Sequence, residues 1–433
     1  MMNKPLLLLM CPCTTMSGYG ARSRDIATAL INSDKYRVII YPTRWGNTPQ
    51  NALDPINPTH KAILDRFVTG QLPTQPDIFI QITVPNEFQK VGKYNIGITA
   101  GIETDLASGE WIEGCNRMDL VLTSSEHAKK VLENSTWQKN TEKGENVGEI
   151  KCTTPIKVLF EGVDLVRYTQ DVQKDARKTI DQELSMIKES FAFLFVGHWL
   201  NGDIGQDRKD VGMLCKVFLE AFKKKAPQNQ PALILKTSRG DFSPVDKLGI
   251  ISRLEQIYDA TQGHNLPNIY LLHGDLTDDE MNALYNHPKI KAHVTFTKGE
   301  GFGRPLAEAS ISAKPIIAPN YSGHLDFLQH AVLLQGTMNP VHPSSVWDKV
   351  ILRESKWFTV DYGAAGRAMI DVVENYKNYE ITAKKQATLI RKEFSFDAMS
   401  EKLLNILDEH APKQVALKLP QLKKIELPKL QKV

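Results

Sequence analysis

Short apolar runs alternate with longer stretches of helical period along most of the chain. Segments 6–10, 37–41, 77–82, 95–99, 119–123 and 156–160 are short and β-favouring. Between several of them apolar residues recur three and four apart, notably over 21–31 and 126–133. A charged helical connector at roughly 169–189 opens a second series, with strands over 191–196, 232–236, 269–272, 292–296 and 315–318. Its helices fall at 211–224, 247–261, 278–286 and 305–313. Strands that alternate with helices in this way are the pattern of βαβ units and parallel sheets. Two such series predict two Rossmann-like α/β domains facing a cleft, with ligand sites at the strand carboxyl ends. Three more helical patterns follow at 364–379, 381–392 and 396–410. The predicted division is an acceptor-side domain over 1–180, a donor-side domain over 181–378, helices crossing back over 379–410 and a tail over 411–433. The Lys-, Asn- and Glu-rich stretch 138–149 has no period and reads as a surface loop.

Composition narrows the class. A chain of 433 residues is too long for one typical core and suits two medium domains. With 42% hydrophobic and 24% charged residues it resembles an ordinary soluble protein, not a disordered or membrane-spanning one. The 53 basic and 50 acidic residues leave a net charge of +3, which is no footprint of a dedicated nucleic-acid binder. The apolar run Leu6-Leu7-Leu8-Leu9-Met10 is short, and no small-residue cleavage site follows, so it reads as a first buried strand and not as a signal peptide. Five scattered cysteines fit a reducing, cytoplasmic location. Cys11-Pro12-Cys13 lacks metal or redox spacing and reads as packing at a strand end. The tail holds six lysines, three prolines and one acid, a solvated segment with polybasic docking as the alternative.

The densest chemistry lies between Thr297 and Phe327. Gly299, Gly301 and Gly303 interrupt an apolar strand pattern, and Pro305 stands where a first helical turn accepts proline. A strand, glycine-rich loop and helix start place backbone N–H groups and the positive end of a helix dipole before an anion. Glu300 in the loop and Glu308 one turn into the helix add two acceptors suited to sugar hydroxyls.

Glu300-Gly301-Phe302-Gly303-Arg304-Pro305-Leu306-Ala307-Glu308, two glutamates separated by seven residues, resembles the signature of the retaining, nucleotide-sugar-dependent glycosyltransferases of family 4. The resemblance implies the GT-B architecture, with a last helix returning to the N-terminal domain. It also implies roles: Glu300 on the donor sugar, the amides of Gly301, Phe302, Gly303 and Arg304 on the diphosphate, and Glu308 on the ribose. Family members carry an Arg/Lys pair that neutralises the diphosphate, and Arg208 and Lys209 match it by placement, with Lys236 in reserve. The Ser17-Gly18-Tyr19-Gly20 turn matches a turn near the donor or acceptor, and Asp275 and Leu276 the turn that packs on the base. Glu103 matches a polar residue near the transferred sugar.

Front-face departure and attack, the usual account of retention in this family, needs no protein nucleophile, no metal and no cofactor beyond the nucleotide-sugar donor. The catalytic set expected is Glu300, Arg208, Lys209 and Glu103. Glycoside hydrolysis fits less well, because both glutamates lie on one loop and helix, on the donor side. His127 reads as a helix-start residue, and His324 and Asp326 as local hydrogen-bonding residues. The acceptor stays open among glycan, lipid, protein and a modified base of DNA, as in phage enzymes of this architecture. Two other classes remain. A nicotinamide-dependent oxidoreductase would need the third glycine and the ribose acid that Gly18-x-Gly20-x-x-Ser23 lacks, and a non-catalytic binding protein would keep only the fold.

Overall fold

The computed structural model describes residues 4–411, apart from 69, 73, 141–145, 201 and 241; the lysine-rich tail, from 412 on, lies outside the described residues. The first half runs β1 (Leu6–Cys11), α1 (Gly18–Asn32), β2 (Arg37–Pro42), α2 (Pro58–Leu64), β3 (Ile78–Ile82), β4 (Tyr94–Thr99), α3 (Gly109–Asn116), β5 (Leu120–Thr123), α4 (Glu126–Asn134), β6 (Trp137–Asn140), β7 (Asn146–Ile150) and β8 (Ile156–Val158). Six of these strands form one sheet in the order β2-β1-β3-β4-β5-β8, every neighbouring pair parallel. Residues of β1 alternate between its faces: Leu7 and Leu9 join one core and Leu8 another, so the apolar run reflects a strand covered on both sides.

The second half runs α5 (Lys174–Glu183), β9 (Ala192–Val196), α6 (Val211–Phe222), β10 (Ala232–Lys236), α7 (Pro244–Ala260), β11 (Ile269–Leu272), α8 (Asp278–Asn286), β12 (Ile290–Val294), α9 (Arg304–Ser310), β13 (Ile316–Pro319), β14 (Val332–Leu334), β15 (Gly336–Pro340), β16 (Lys356–Val360), α10 (Tyr362–Glu374), α11 (Tyr376–Glu393) and α12 (Phe396–His410). Its parallel sheet has the order β11-β10-β9-β12-β13-β14. Phe193 and Phe195 of β9 face one core, and Ala192 and Leu194 the other.

Four expectations are corrected. Stretch 138–149 is not all loop, because β6 and β7 pair antiparallel, and the exposed polar residues of β7 carry no period; residues 141–145 lie outside the described residues. β12 sits two residues earlier than expected, since Thr295 leaves the sheet while its N–H still bonds the Ile317 carbonyl. α9 stops at Ser310, and the chain turns through Ala313, whose φ is 55°. The break between the last long helices falls at Asn375, not near 380.

Of the stretch 379–410, α11 packs on α9 of the second unit, and only α12 lies on α1 of the first. Lys35 and Asp408 join there at 2.7 Å. The chain crosses between units near Val163 and again at Phe394–Phe396, and the two crossings bond each other: Val163 N–H donates to Phe394 O and Phe396 N–H to Val163 O, both at 2.8 Å. Among the described residues no helix is long and apolar enough to cross a membrane.

Candidate active site

Both sheets reverse their strand order in the middle, and both reversals face the cleft between the units. In the second sheet β9 lies between β10 and β12, so the loops leaving β9 and β12 diverge over an open crevice, the usual ligand position in such sheets. The loop after β9 carries Arg208 and Lys209, and the loop after β12 carries Glu300. In the first sheet β1 lies between β2 and β3, and the turn to α1 brings Gly18 and Tyr19 to the same crevice. The resulting cleft holds about 450 Å³.

At its centre four charged groups meet across the two units. Lys209 Nζ donates to Glu300, Arg208 donates to Glu103 at 2.9 Å, and Arg208 lies 4.0 Å from the second Glu300 oxygen. Burial pushes the Glu300 carboxyl up, but the neighbouring Lys209 and Arg208 outweigh it and hold it below its ordinary value. Burial draws Lys209 down, against the pull of Glu300. The Glu300 N–H donates to Ser322 Oγ at 2.9 Å, and Ser322 has a φ of 75°, a conformation unfavourable to a side chain and held next to the loop it orients.

These positions are fixed from behind. Lys298, one residue before Gly299, donates from Nζ to Asp210 Oδ2 at 3.1 Å, and both side chains are buried. Tyr362 donates to the same oxygen at 2.8 Å, and Lys298 N–H to the Arg208 carbonyl at 2.8 Å. The cationic loop and the glycine-rich loop are thereby joined through backbone and ion pair together.

Two of the glycines also let the units meet closely. A Cβ on Gly299 would stand 2.1 Å from the Glu103 carbonyl, and one on Gly301 2.5 Å from that of Ala100. They let the loop of the second unit lie against the backbone of the first. Gly303, with a φ of 97°, precedes α9 at the turn itself.

Toward the other end of the cleft, Arg304 donates to Glu308 at 2.9 Å and to Asp25 at 2.6 Å, and stands 3.7 Å from Glu161. Asp25 and Glu161 belong to the first unit, so Arg304 clamps the two units. Burial raises the Glu308 carboxyl to about 7, against the pull of Arg304.

Of the residues singled out from sequence, the structure brings Gly18, Tyr19, Glu103, Arg208, Lys209, Lys236, Glu300, Gly301, Phe302, Gly303, Arg304 and Glu308 to one cleft. Phe302 is buried beneath the loop against Phe327, with ring centroids 4.8 Å apart. Lys236 ends β10, where Nζ donates to the Gly274 carbonyl at 2.6 Å. Four residues stand apart from the cleft lining. Ser17 caps α1, its hydroxyl accepting from Gly20 N–H at 2.9 Å. Gly20 is buried against Thr15, where a Cβ would meet the carbonyl at 2.1 Å. Asp275 is exposed, and Leu276 packs toward the core beside the turn. His324 donates from Nε2 to the Pro319 carbonyl at 2.7 Å, and Asp326 accepts from Glu126 N–H across the units at 2.9 Å. His127 lies on α4.

Sequence reasoning missed Arg22, Trp45, Glu161 and His198, all lining the cleft. His198 and Glu161 follow β9 and β8 directly, so a rule that inspects every strand carboxyl end would have found both. His198 pairs with Ser238 at 3.0 Å, and burial, then Lys209, lowers its basicity. Trp45 stacks on Tyr19 with centroids 4.0 Å apart, a contact no spacing announces.

The sequence matches no protein-family model and no curated protein. Solved structures resemble it along nearly its whole length. A sucrose-phosphate synthase from Thermosynechococcus elongatus aligns with a TM-score of 0.62 at 12% identity, over 94% of this chain and 99% of that one. A glycosyltransferase from Rickettsia africae gives 0.60 at 13%, over 94% and 98%. The Anabaena protein HepE, solved with UDP-glucose, gives 0.57 at 11%, over 94% and 100%. At such identities the likeness establishes the fold, a two-sheet α/β architecture of GT-B type.

Proposed function

We propose that the chain is a glycosyltransferase that moves a sugar from a nucleoside-diphosphate sugar to an acceptor hydroxyl with retention of configuration. One observation carries it: two cations, Arg208 and Lys209, stand at the switch point of the second sheet, each neutralised by a carboxylate that suits sugar hydroxyls. A donor brings its own two-fold negative diphosphate, which takes over the cations and turns Glu300 toward the sugar. That HepE was solved with UDP-glucose supports a uridine donor here.

In this scheme the C1–O bond to the diphosphate breaks as the acceptor oxygen bonds C1 on the same face, and the acceptor proton passes to the departing phosphate oxygen. Arg208 and Lys209 stabilise the charge that grows on the leaving group, an effect enlarged where water is excluded. Glu300 holds sugar hydroxyls, neutral His198 and Glu103 border the reacting carbon, and Glu308 takes the ribose after parting from Arg304. No metal or other cofactor enters the scheme.

Incubation with a panel of nucleotide sugars, following free nucleotide, tests it. We expect slow hydrolysis of a UDP-sugar, lowered about 100-fold or more in Glu300→Ala while UDP binding persists. Hydrolysis of no donor, or full activity in the variant, would sink the assignment.

A further inference from the structure

A second cavity of about 420 Å³ opens on the far side of Arg208, away from the donor cleft, and shares that residue with it. It is built by residues that the donor assignment leaves idle. Between β15 and β16 the chain makes an excursion over 341–355 with a small core of its own, Val341, Ile351 and Trp357. The excursion is fastened on three sides. Ser345 Oγ donates to the Gln206 carbonyl on the Arg208 loop, and Asp203 N–H donates to Ser344 Oγ at 3.3 Å. Lys349 pairs with Glu110 of the first unit at 3.0 Å. Lys356 and Asp105 exchange two bonds, at 2.7 and 3.0 Å. Trp347 and Ile351 close a tight turn by mutual backbone bonds at 3.0 and 2.7 Å, which holds the Trp347 indole out at 61% exposure.

We propose that this cavity is the acceptor subsite and that it takes a ring bearing a phosphate. Trp347 offers an exposed aromatic face for the ring, a contact equally suited to a sugar or a base. Arg239 and Arg208 are the charged groups among the described lining residues; Glu103 and Glu300 balance Arg208, so Arg239 is the cation this cavity offers an anion. Arg239 holds the phosphate, and the end of the cavity at Arg208 and Glu103 is where an acceptor hydroxyl meets the donor sugar. The inference rests on the glycosyltransferase assignment for the word acceptor, but the binding chemistry stands apart from it.

The test is fluorescence titration of the full chain with glucose 6-phosphate, thymidine 5′-monophosphate, their unphosphorylated parents and inorganic phosphate. Trp347→Phe assigns the signal. We expect saturable quenching by a phosphorylated ring, weakened about tenfold in Arg239→Ala and in Trp347→Ala, with UDP affinity changed less than about twofold in both. Which probe binds more tightly separates a sugar phosphate from a nucleotide. Affinity unchanged in both Arg239→Ala and Trp347→Ala, or inorganic phosphate binding as tightly as the phosphorylated rings, overturns the subsite. UDP binding with no probe binding overturns it while sparing the donor assignment; probe binding without UDP binding sinks the donor assignment and leaves the ligand of this cavity standing.

Discussion

Asp25, Glu161 and Glu308 gather round the single guanidinium of Arg304, with Arg22 acting on Glu161 from the other side. Burial favours a retained proton on the Glu308 and Glu161 carboxyls, and the neighbouring guanidinium groups oppose it only in part. Burial lifts the Glu308 carboxyl to about 7 against the pull of Arg304, and Glu161 above its ordinary value against Arg22 and Arg304. Ribose hydroxyls donate to an ionised carboxylate, so affinity for UDP should rise as pH climbs through about 7 and level off above it. Titration calorimetry across that range should find Glu308→Gln flat. Stability moves the opposite way. Native Glu308 holds its proton up to about 7, whereas the unfolded group releases it near 4.5, so the native state binds more protons in between and loses stability as pH rises through that window. Thermal melts of the same variant should lack that fall. The two glutamates and their spacing were visible in the sequence; the gathering of Asp25 and Glu161 round Arg304 was not, because they lie far away along the chain and only the fold brings them round it.

Elements show how the legible and illegible parts divide. Strands buried on both faces and helices with capping residues, such as Thr277 with Glu280 before α8, announce themselves by composition and spacing. β6, β7 and β15 do not, since their described residues are largely exposed, and β16, whose Trp357, Phe358 and Val360 are buried, has only β15 as its strand partner among the described residues. The loop pair at the site belongs to a third kind: its motif is readable, but its rigidity comes from Lys298 and Asp210, which look like surface charges in sequence. Removing one partner of a buried pair strands the other, so Lys298→Met should cost about 3–5 kcal/mol by chemical denaturation. Lys298→Met with Asp210→Leu should recover much of that stability but not the turnover, because the Arg208 and Glu300 loops lose their common anchor. Recovery of both would show that the pair serves stability alone.

For the whole molecule, two parallel-sheet units facing a cleft followed from the alternation of apolar runs with helices; the order of strands in each sheet and how tightly the units meet did not. That closeness depends on atoms that are missing. Gly299→Ala would set a methyl against the Glu103 carbonyl, a clash relieved only if the units part. Small-angle scattering should then give a larger radius of gyration with an unchanged circular dichroism spectrum, and donor hydrolysis should fall. Superimposable scattering curves would refute it. The paired crossings at Val163 and Phe394–Phe396 confine such parting to rotation about one short hydrogen-bonded segment, because neither crossing can slide without its neighbour.

The return of α12 to α1 also bears on how the protein is made. Ile26 and Leu30 share a core with Met399, Leu403 and Leu407, residues translated more than 360 positions later. While the ribosome is still synthesising the second unit, the first therefore presents an uncovered apolar stripe along α1. Its last stretch of core closes only once residue 410 has left the exit tunnel, so the nascent chain carries a sticky surface for most of its synthesis and depends on chaperones or on speed to keep it from wrong partners.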